Sequence, residues 1–556
     1  MNKIEEIFNS KYFAVALIIA VSVLVYFNTL SAEFVYDDNH QVIKNKWIHS
    51  LSNIPAIFTS SAWGFSKDMP SSNYYRPVMH LSYLFSAKLF GIKPLGFHLV
   101  NVLLHTLNAV MVFVTASSFS GELVPKLKKE GKATVFCLAA ALLFAVHPIN
   151  SEVVAWVAGV PELSFTLFVL VSFNLYIRRG GDSIVSAYFI LSLLFFFLAT
   201  LSKETALMLP IIIIAYDYLV RRDISLRTPA VLLRRYIPFF GVSVVYFILR
   251  FNALAGIAPR APQHTELSGF QNIINIFPLV GKYFLKLVLP TGLNAYHMLR
   301  PALSLADPRF IISLIFTIAL LFAIWQLRRT RPAVSFLLIW IIVPLLPVLY
   351  IPVLGENTFT ERYLYLPTVG FTIFICTIFF LAKERLNLKS TVPVLIIVAI
   401  LTATGAAASV ARIKVWHDDL VLWTETLKKS PNSALVRYSM GYAFYQRDRL
   451  PEAIVEYKKA LDINYSDRSY HYDIGLAYQE NRNMNKAIFH YREAIRFGFA
   501  KDADTRINLG NSYAMKGMPG KAVAEYKAVL AFEPGNLLAK RNMGIVMKKL
   551  GNQNPK

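Results

Sequence analysis

What most constrains this chain is a succession of apolar runs, each near the length of a bilayer crossing, separated by polar stretches rich in lysine and arginine. A helix needs about 20 apolar residues to cross hydrocarbon, and only helices or closed barrels satisfy their own backbone there. The runs fall at roughly 12–30, 97–118, 133–148, 160–177, 185–201, 205–220, 236–250, 310–327, 333–352, 363–382 and 391–411. The expected fold class is therefore all-α, a polytopic membrane body of about 11 helices. With 55% hydrophobic residues and 41 Phe, the composition excludes an ordinary soluble protein. The first run, 12–30, lacks a convincing small-residue cleavage signal and reads as an uncleaved helix.

The net charge of +23 does not require nucleic acid, because basic residues of membrane proteins gather in cytoplasmic loops. Lys126 to Lys129, Arg178-Arg179, the stretch Arg221 to Arg235, Arg328 to Arg331 and Lys383 to Arg385 all fall on one side if about 11 helices cross. Segment 271–290 is apolar, but Lys282 and Lys286 stand one turn apart within it. Counting it as a crossing would move Arg328–Arg331 outside, so it reads as an interfacial amphipathic or re-entrant helix. The N-terminus is then cytoplasmic, and the loops 31–96, 149–159 and 251–309 lie outside with everything beyond Arg412. Cys137 and Cys376 both sit in apolar runs and offer no disulfide framework or thiolate metal site.

The expected domains are a membrane body over 1–411, a linker with a capping half-repeat over 412–433, and a repeat array over 434–552. In the array, Gly441, Phe444, Ala453, Tyr457 and Ala460 recur as Gly475, Tyr478, Ala487, Tyr491 and Ala494, then as Gly510, Tyr513, Ala522 and Tyr526, with a further start at Gly544. Small residues at those places let paired helices approach while the aromatics fill the space between units, the pattern of a tetratricopeptide α-solenoid. Such a stack suits an extended peptide; a plain scaffold or oligomerisation role is its simpler alternative.

The expected outer face collects ionisable residues. Asp37 and Asp38 follow the first run, and Arg76 comes later in the same loop. His147 and Glu152, Lys203 and Glu204, the basic run 250–264, and Glu361-Arg362 lie in the others. Each has a bland alternative: the aspartates could cap a turn, His147 could begin a loop, Lys203 and Glu204 could pair with each other, and Glu361-Arg362 could be an interfacial anchor. Together they place carboxylates and cations on one membrane face, where such groups are costly unless used. They suit transfer from a lipid-linked phosphate: Asp37 or Asp38 as the base for an acceptor hydroxyl, Arg362, Lys203 or Arg76 on the phosphate, and Glu204, His147, Glu152 and Glu361 in support. One base and a single displacement invert the anomeric centre, unlike the carboxylate pair of retaining hydrolases. No metal-ligand spacing, phosphate-cradling glycine loop or serine elbow is present in the sequence, so no metal or other cofactor is expected.

Tyr36-Asp37-Asp38, Tyr75-Arg76-Pro77, His98 to Asn108, Val146-His147-Pro148 with Glu152 to Trp156, Ser202-Lys203-Glu204, Glu361 to Pro367 and the trailing repeats resemble the transmembrane and tetratricopeptide-repeat family of protein O-mannosyltransferases, membrane glycosyltransferases of the C superfamily. The resemblance covers nearly the whole chain. It implies a polyprenyl- or dolichyl-phosphate sugar donor, an outer or lumenal site, an acidic base in the first loop, metal independence, and Ser or Thr of a protein as acceptor. Where that family usually has Gly-Arg-x-acid, this chain reads Gly159-Val160-Pro161-Glu162, losing the arginine and keeping the acid, so the resemblance puts Glu162 in support of the site. The short array and compact basic loops point to a prokaryotic member, hence to an undecaprenyl-type donor and an inner membrane with the repeats periplasmic. Two other readings are a non-catalytic membrane-anchored scaffold for envelope assembly and a ligase or polymerase of lipid-linked glycans.

Overall fold

The computed structural model describes residues 10–66, 72–129, 131–179, 186–223, 228–256, 267–298, 300–351, 357–388 and 390–553. Residues 257–264 of the basic run, and 224–227 within the stretch Arg221 to Arg235, lie outside these. The described residues are helical, and their one β-type pairing is an isolated bridge between His297 and Phe359. The chain divides into two compact units, Met1–Asp418 and Asp419–Lys556.

Each expected crossing coincides with helix. Among the described residues, eight helices are long and apolar enough to cross a membrane: Lys11–Ser31, Pro94–Leu123, Val157–Arg178, Pro229–Leu254, Pro308–Thr330, Pro332–Leu349, Glu361–Arg385 and Val392–Trp416. A ninth candidate is the pair Ala133–Ala145 and Pro148–Ala155, bent by 47° at a proline that removes a backbone donor. The runs at 185–201 and 205–220 form shorter pieces, Ala187–Ser202, and Leu209–Tyr216 continued by Asp217–Arg221. This is an integral membrane protein. The segment 271–290 is a helix, Gly269–Val288, that is not among the apolar spans. Ile274, Leu279, Val280, Tyr283 and Leu287 form its buried stripe, at helical spacing.

The helix Pro94–Leu123 organises the first unit. His98, Asn101, His105 and Asn108 follow one another at intervals of three and four, so they share a face, and all four are buried. Asn101 Nδ2 donates to the Trp156 carbonyl at 2.7 Å, and Asn108 Nδ2 to that of Leu163 at 2.9 Å. His105 bridges the Ala145 carbonyl, 3.0 Å from Nε2, and the Tyr365 hydroxyl, 2.8 Å from Nδ1. Buried polar groups on an apolar helix are stabilising only when paired. Here the pairs fix the segment 145–163, and with it one wall of the site.

The second unit runs from Asp419–Lys429 through three helix pairs, Ala434–Tyr445 with Leu450–Ile463, Arg468–Glu480 with Met484–Ala494 and Ala503–Met515 with Pro519–Phe532, to Leu537–Gln553. A Cβ on Gly441, Gly475 or Gly510 would lie 2.6, 2.8 or 2.6 Å from the ring of Tyr457, Tyr491 or Tyr526, each sixteen residues on. The repeated Gly and Tyr are thus two halves of one contact within each helix pair.

Candidate active site

The loop after the first helix places the two aspartates differently. Asp38 N–H donates to the Val35 carbonyl at 3.0 Å, and Tyr36 lies in the left-handed region at φ 56°. This tight turn sends Asp38 inward, where it is fully buried. Its Oδ1 accepts from Ala158 N–H at 2.8 Å and its Oδ2 from Val35 N–H at 3.2 Å. Asp37, half-buried, faces a cavity, and no donor among the described residues hydrogen-bonds its carboxylate. Burial pushes its carboxyl up to about 6, although the charge of Arg362 opposes the shift.

The cavity is lined by Asp37, Gln41, Arg76, Glu162 and Arg362, with an aromatic wall of Trp63, Tyr74, Trp156 and Tyr363. Trp156 is held between Tyr36 and Trp416, at ring centroid distances of 5.6 and 5.9 Å. Gly159 keeps this wall tight, since a Cβ there would fall 2.2 Å from the Val153 carbonyl oxygen.

The cations are paired across long stretches of chain. Arg76 grips Glu204 through two hydrogen bonds, 2.9 and 3.4 Å, and lies 4.3 Å from the centre of the Tyr74 ring. Lys203 Nζ donates to Glu162 at 2.8 Å, both groups being buried. Arg362 donates to Glu152 at 3.1 Å and approaches Glu162 at 3.6 Å. Lys203 and Glu204 therefore do not pair with each other. Burial would push Glu204 upward, but the Arg76 guanidinium, with Lys203 nearby, holds it at about 2. Burial lowers Lys203, with Glu162 opposing.

Of the residues nominated from sequence, Asp37, Arg76, Glu162 and Arg362 line the cavity; Lys203, Glu204 and Glu152 stand behind them as ion-pair partners, and Asp38 supports the loop. His147 lies elsewhere: its ring bonds the Leu287 carbonyl and accepts from Ile149 N–H at the start of a helical turn. Glu361 is buried in a neighbouring cluster, where it accepts from Asn294 N–H at 2.6 Å and faces His297 Nε2 at 2.8 Å. Sequence reasoning missed His297, Asn294 and Gln41, which carry no local motif. No group of three His, Cys, Asp or Glu side chains disposed to hold a metal occurs among the described residues.

Fold and site define a polytopic helical membrane protein that joins a carboxylate and arginine cavity to a helical repeat array. Residues 441–481 match the family model described as TPR repeat, and 469–497 the one described as tetratricopeptide repeat. The chain is similar to proteins named as O-mannosyl-transferases. It is 25% identical to Protein O-mannosyl-transferase F38B6.6 of Caenorhabditis elegans over 81% of this chain and 62% of that protein. It is 26% identical to human Protein O-mannosyl-transferase TMTC3 over 82% and 52% respectively. Human TMTC1 reaches 34% identity over 37% of this chain and 23% of its own length. The chain thus spans between about half and two-thirds of the length of the first two. Among solved structures, ArnT from Cupriavidus metallidurans bound to undecaprenyl phosphate aligns over 89% of this chain and 80% of that one at 16% identity, with a TM-score of 0.39.

Proposed function

We propose that this protein is an inverting glycosyltransferase that moves a sugar from a polyprenyl-phosphate-linked donor to a hydroxyl, that of Ser or Thr in a polypeptide. The observation that carries this reading is the contrast between neighbouring aspartates. Asp38 is consumed by two backbone N–H groups, whereas the Asp37 carboxylate points into the cavity, accepts no hydrogen bond from the described residues and is pushed to about 6. An unengaged carboxylate with that affinity for protons suits a general base near neutral pH.

In this scheme Asp37 removes the acceptor proton as the oxygen attacks the anomeric carbon. The bond from that carbon to the phosphate oxygen breaks, and the lipid phosphate leaves with the electron pair. Among the described residues Arg362 makes a single hydrogen bond below 3.5 Å, so its guanidinium keeps donors for the departing oxygen. The wall of Trp63, Tyr74, Trp156 and Tyr363 supplies flat apolar surface for a sugar ring. The repeat unit binds the acceptor polypeptide. The basic-loop pattern supports a cytoplasmic N-terminus, an outward-facing site and periplasmic repeats in a bacterial inner membrane. Similarity to proteins named as O-mannosyl-transferases supports the reaction class.

The test is comparison, by mass spectrometry, of glycoproteins and lipid-linked glycans in cells with no copy, the wild type, or Asp37→Asn at matched level. Loss of protein glycosylation with both the deletion and Asp37→Asn is expected. Unchanged glycoproteins in Asp37→Asn cells would sink the enzymatic reading, and altered lipid-linked glycans alone would make the protein a glycan ligase or polymerase.

A further inference from the structure

The three cations nominated for the donor phosphate already have carboxylate partners. Arg76 sits on Glu204, Lys203 on Glu162, and Arg362 between Glu152 and Glu162. With Asp37 added, the charged groups lining the cavity and their ion-pair partners carry no excess of positive charge. A lipid-linked sugar phosphate is anionic throughout, and a field of that sign does not draw it in.

An excess of positive charge lies on the helix Gly269–Val288. Lys282 and Lys286 are one turn apart on it, an arrangement of like charges that destabilises a helix when nothing neutralises it. Lys282 Nζ is 4.1 Å from the centre of the Phe359 ring. Lys286 folds over the turn at Thr291, donating to that residue's carbonyl, and Arg300 follows in the same stretch of chain. The carboxylate the two lysines feel is Glu361, while Arg300 adds its positive charge at Lys282; Glu361 is fully buried and already engaged by Asn294 and His297. Arg412 approaches the same carboxylate at 3.9 Å, and its buried Nε and Nη2 have no hydrogen-bond partner among the described residues. Among the described residues, Lys282, Lys286 and Arg412 thus converge on one carboxylate. The crowding registers at Lys282, whose ammonium is pushed down to about 8 by burial first and by Lys286 next.

This cluster adjoins the cavity. Glu361 anchors one and its chain neighbour Arg362 lines the other. Tyr283, next to Lys282, packs on Phe359 at a centroid distance of 4.7 Å. The same helix exposes Phe270, Ile273, Leu285 and Val288, an apolar surface suited to acyl or prenyl chains beside a cationic headgroup site.

We propose that Lys282 and Lys286, with Arg300, hold the phosphate of the polyprenyl-linked donor at the edge of the cavity, leaving Arg362 to meet only the oxygen that departs from the sugar. This rests on the reading that the chain uses a lipid-linked donor. The test is binding of polyprenyl phosphate and of the uncharged polyprenol to the full-length protein in phosphatidylcholine nanodiscs, read by native mass spectrometry. Lys282→Gln/Lys286→Gln is expected to bind polyprenyl phosphate at least about tenfold more weakly, the loss of one or two charge-assisted hydrogen bonds, and polyprenol as the wild type does. Lys282→Arg/Lys286→Arg keeps the charge and is expected to bind both; with the single Gln variants it gives the same reading if the double variant unfolds. Wild-type affinity for polyprenyl phosphate in the Gln variants, or an equal loss of polyprenol, overturns the proposal. Competition by phosphatidylglycerol at equal potency assigns the site to bulk anionic lipid and overturns the donor assignment. Binding is read without turnover, so a protein that binds through these lysines yet transfers no sugar refutes the activity and leaves the site standing.

Discussion

Asp37 and Asp38 differ by one position and are expected to respond to substitution in opposite ways. Asp38→Asn leaves one carbonyl oxygen for two backbone N–H donors and sets an amide N–H₂ against the other, in a fully buried place. A loss of about 1–3 kcal/mol is expected, measurable as a lowered thermal midpoint. Asp37→Asn removes the base, for which a fall of about 10²–10⁴-fold in transfer is expected, while stability rises. The Asp37 carboxyl holds its proton more tightly in the folded chain than in the unfolded one. Its contribution to stability is therefore complete below the ordinary value near 3.8 and disappears as pH rises through about 6. At pH 7 the ionised group is a burden on the order of 1–2 kcal/mol, allowing for its partial contact with solvent, and asparagine relieves it. The same titration shapes activity: kcat/KM should climb tenfold per pH unit below about 6 and level above it, and a profile flat from pH 5 to 7 would exclude Asp37 as the base. The sequence nominated the aspartate pair but could not separate its members. The separation depends on the left-handed Tyr36 and on the Ala158 N–H, 120 residues away. Glu162 and Lys203 likewise meet across 41 residues, and Glu152 and Arg362 across 210, distances at which no local pattern indicates partnership.

At the scale of elements the sequence is far more telling, because the forces involved are periodic. Apolar runs near bilayer length became helices wherever they were described, and Gly269–Val288, which carries the two lysines, is not among the apolar spans. The ion-pair face was not legible in this way, since an apolar helix tolerates a Glu or a His at a single site without disturbing its period. The repeats offer a graded test of packing. Alanine at Gly441, Gly475 or Gly510 would drive a methyl to within 2.8 Å of a tyrosine ring, with an expected loss of about 1–3 kcal/mol from overpacking. Gly544 has no atom within 4 Å of the equivalent position, so Gly544→Ala is expected to stabilise its helix by up to about 1 kcal/mol through propensity alone. Hydrogen exchange of the flanking helices separates the cases: faster exchange over 434–463 for Gly441→Ala, unchanged or slower exchange over 537–553 for Gly544→Ala. Equal effects at all four glycines would mean that the Gly and Tyr contact does not hold the pairs together.

For the whole molecule, the division after Asp418 separates two kinds of stability. The first unit closes its own polar ladder at His98, Asn101, His105 and Asn108 and contains every residue that lines the cavity, together with the Gly269–Val288 lysines. The second is a stack in which each helix pair rests on its neighbours, so its integrity is a matter of local contacts. If the repeats bind the acceptor polypeptide and the first unit binds the donor, the two affinities should come apart on truncation. A chain ending at Asp418 is expected to bind polyprenyl phosphate within about twofold of the full-length protein, because no charged group of that site is removed. Its KM for a polypeptide acceptor should rise by about tenfold or more as the tethered peptide site is lost, with kcat on a short peptide at saturating concentration little changed. Donor affinity falling in parallel with acceptor affinity would mean that the repeats shape the catalytic unit itself, and the division of labour between the two units would have to be abandoned.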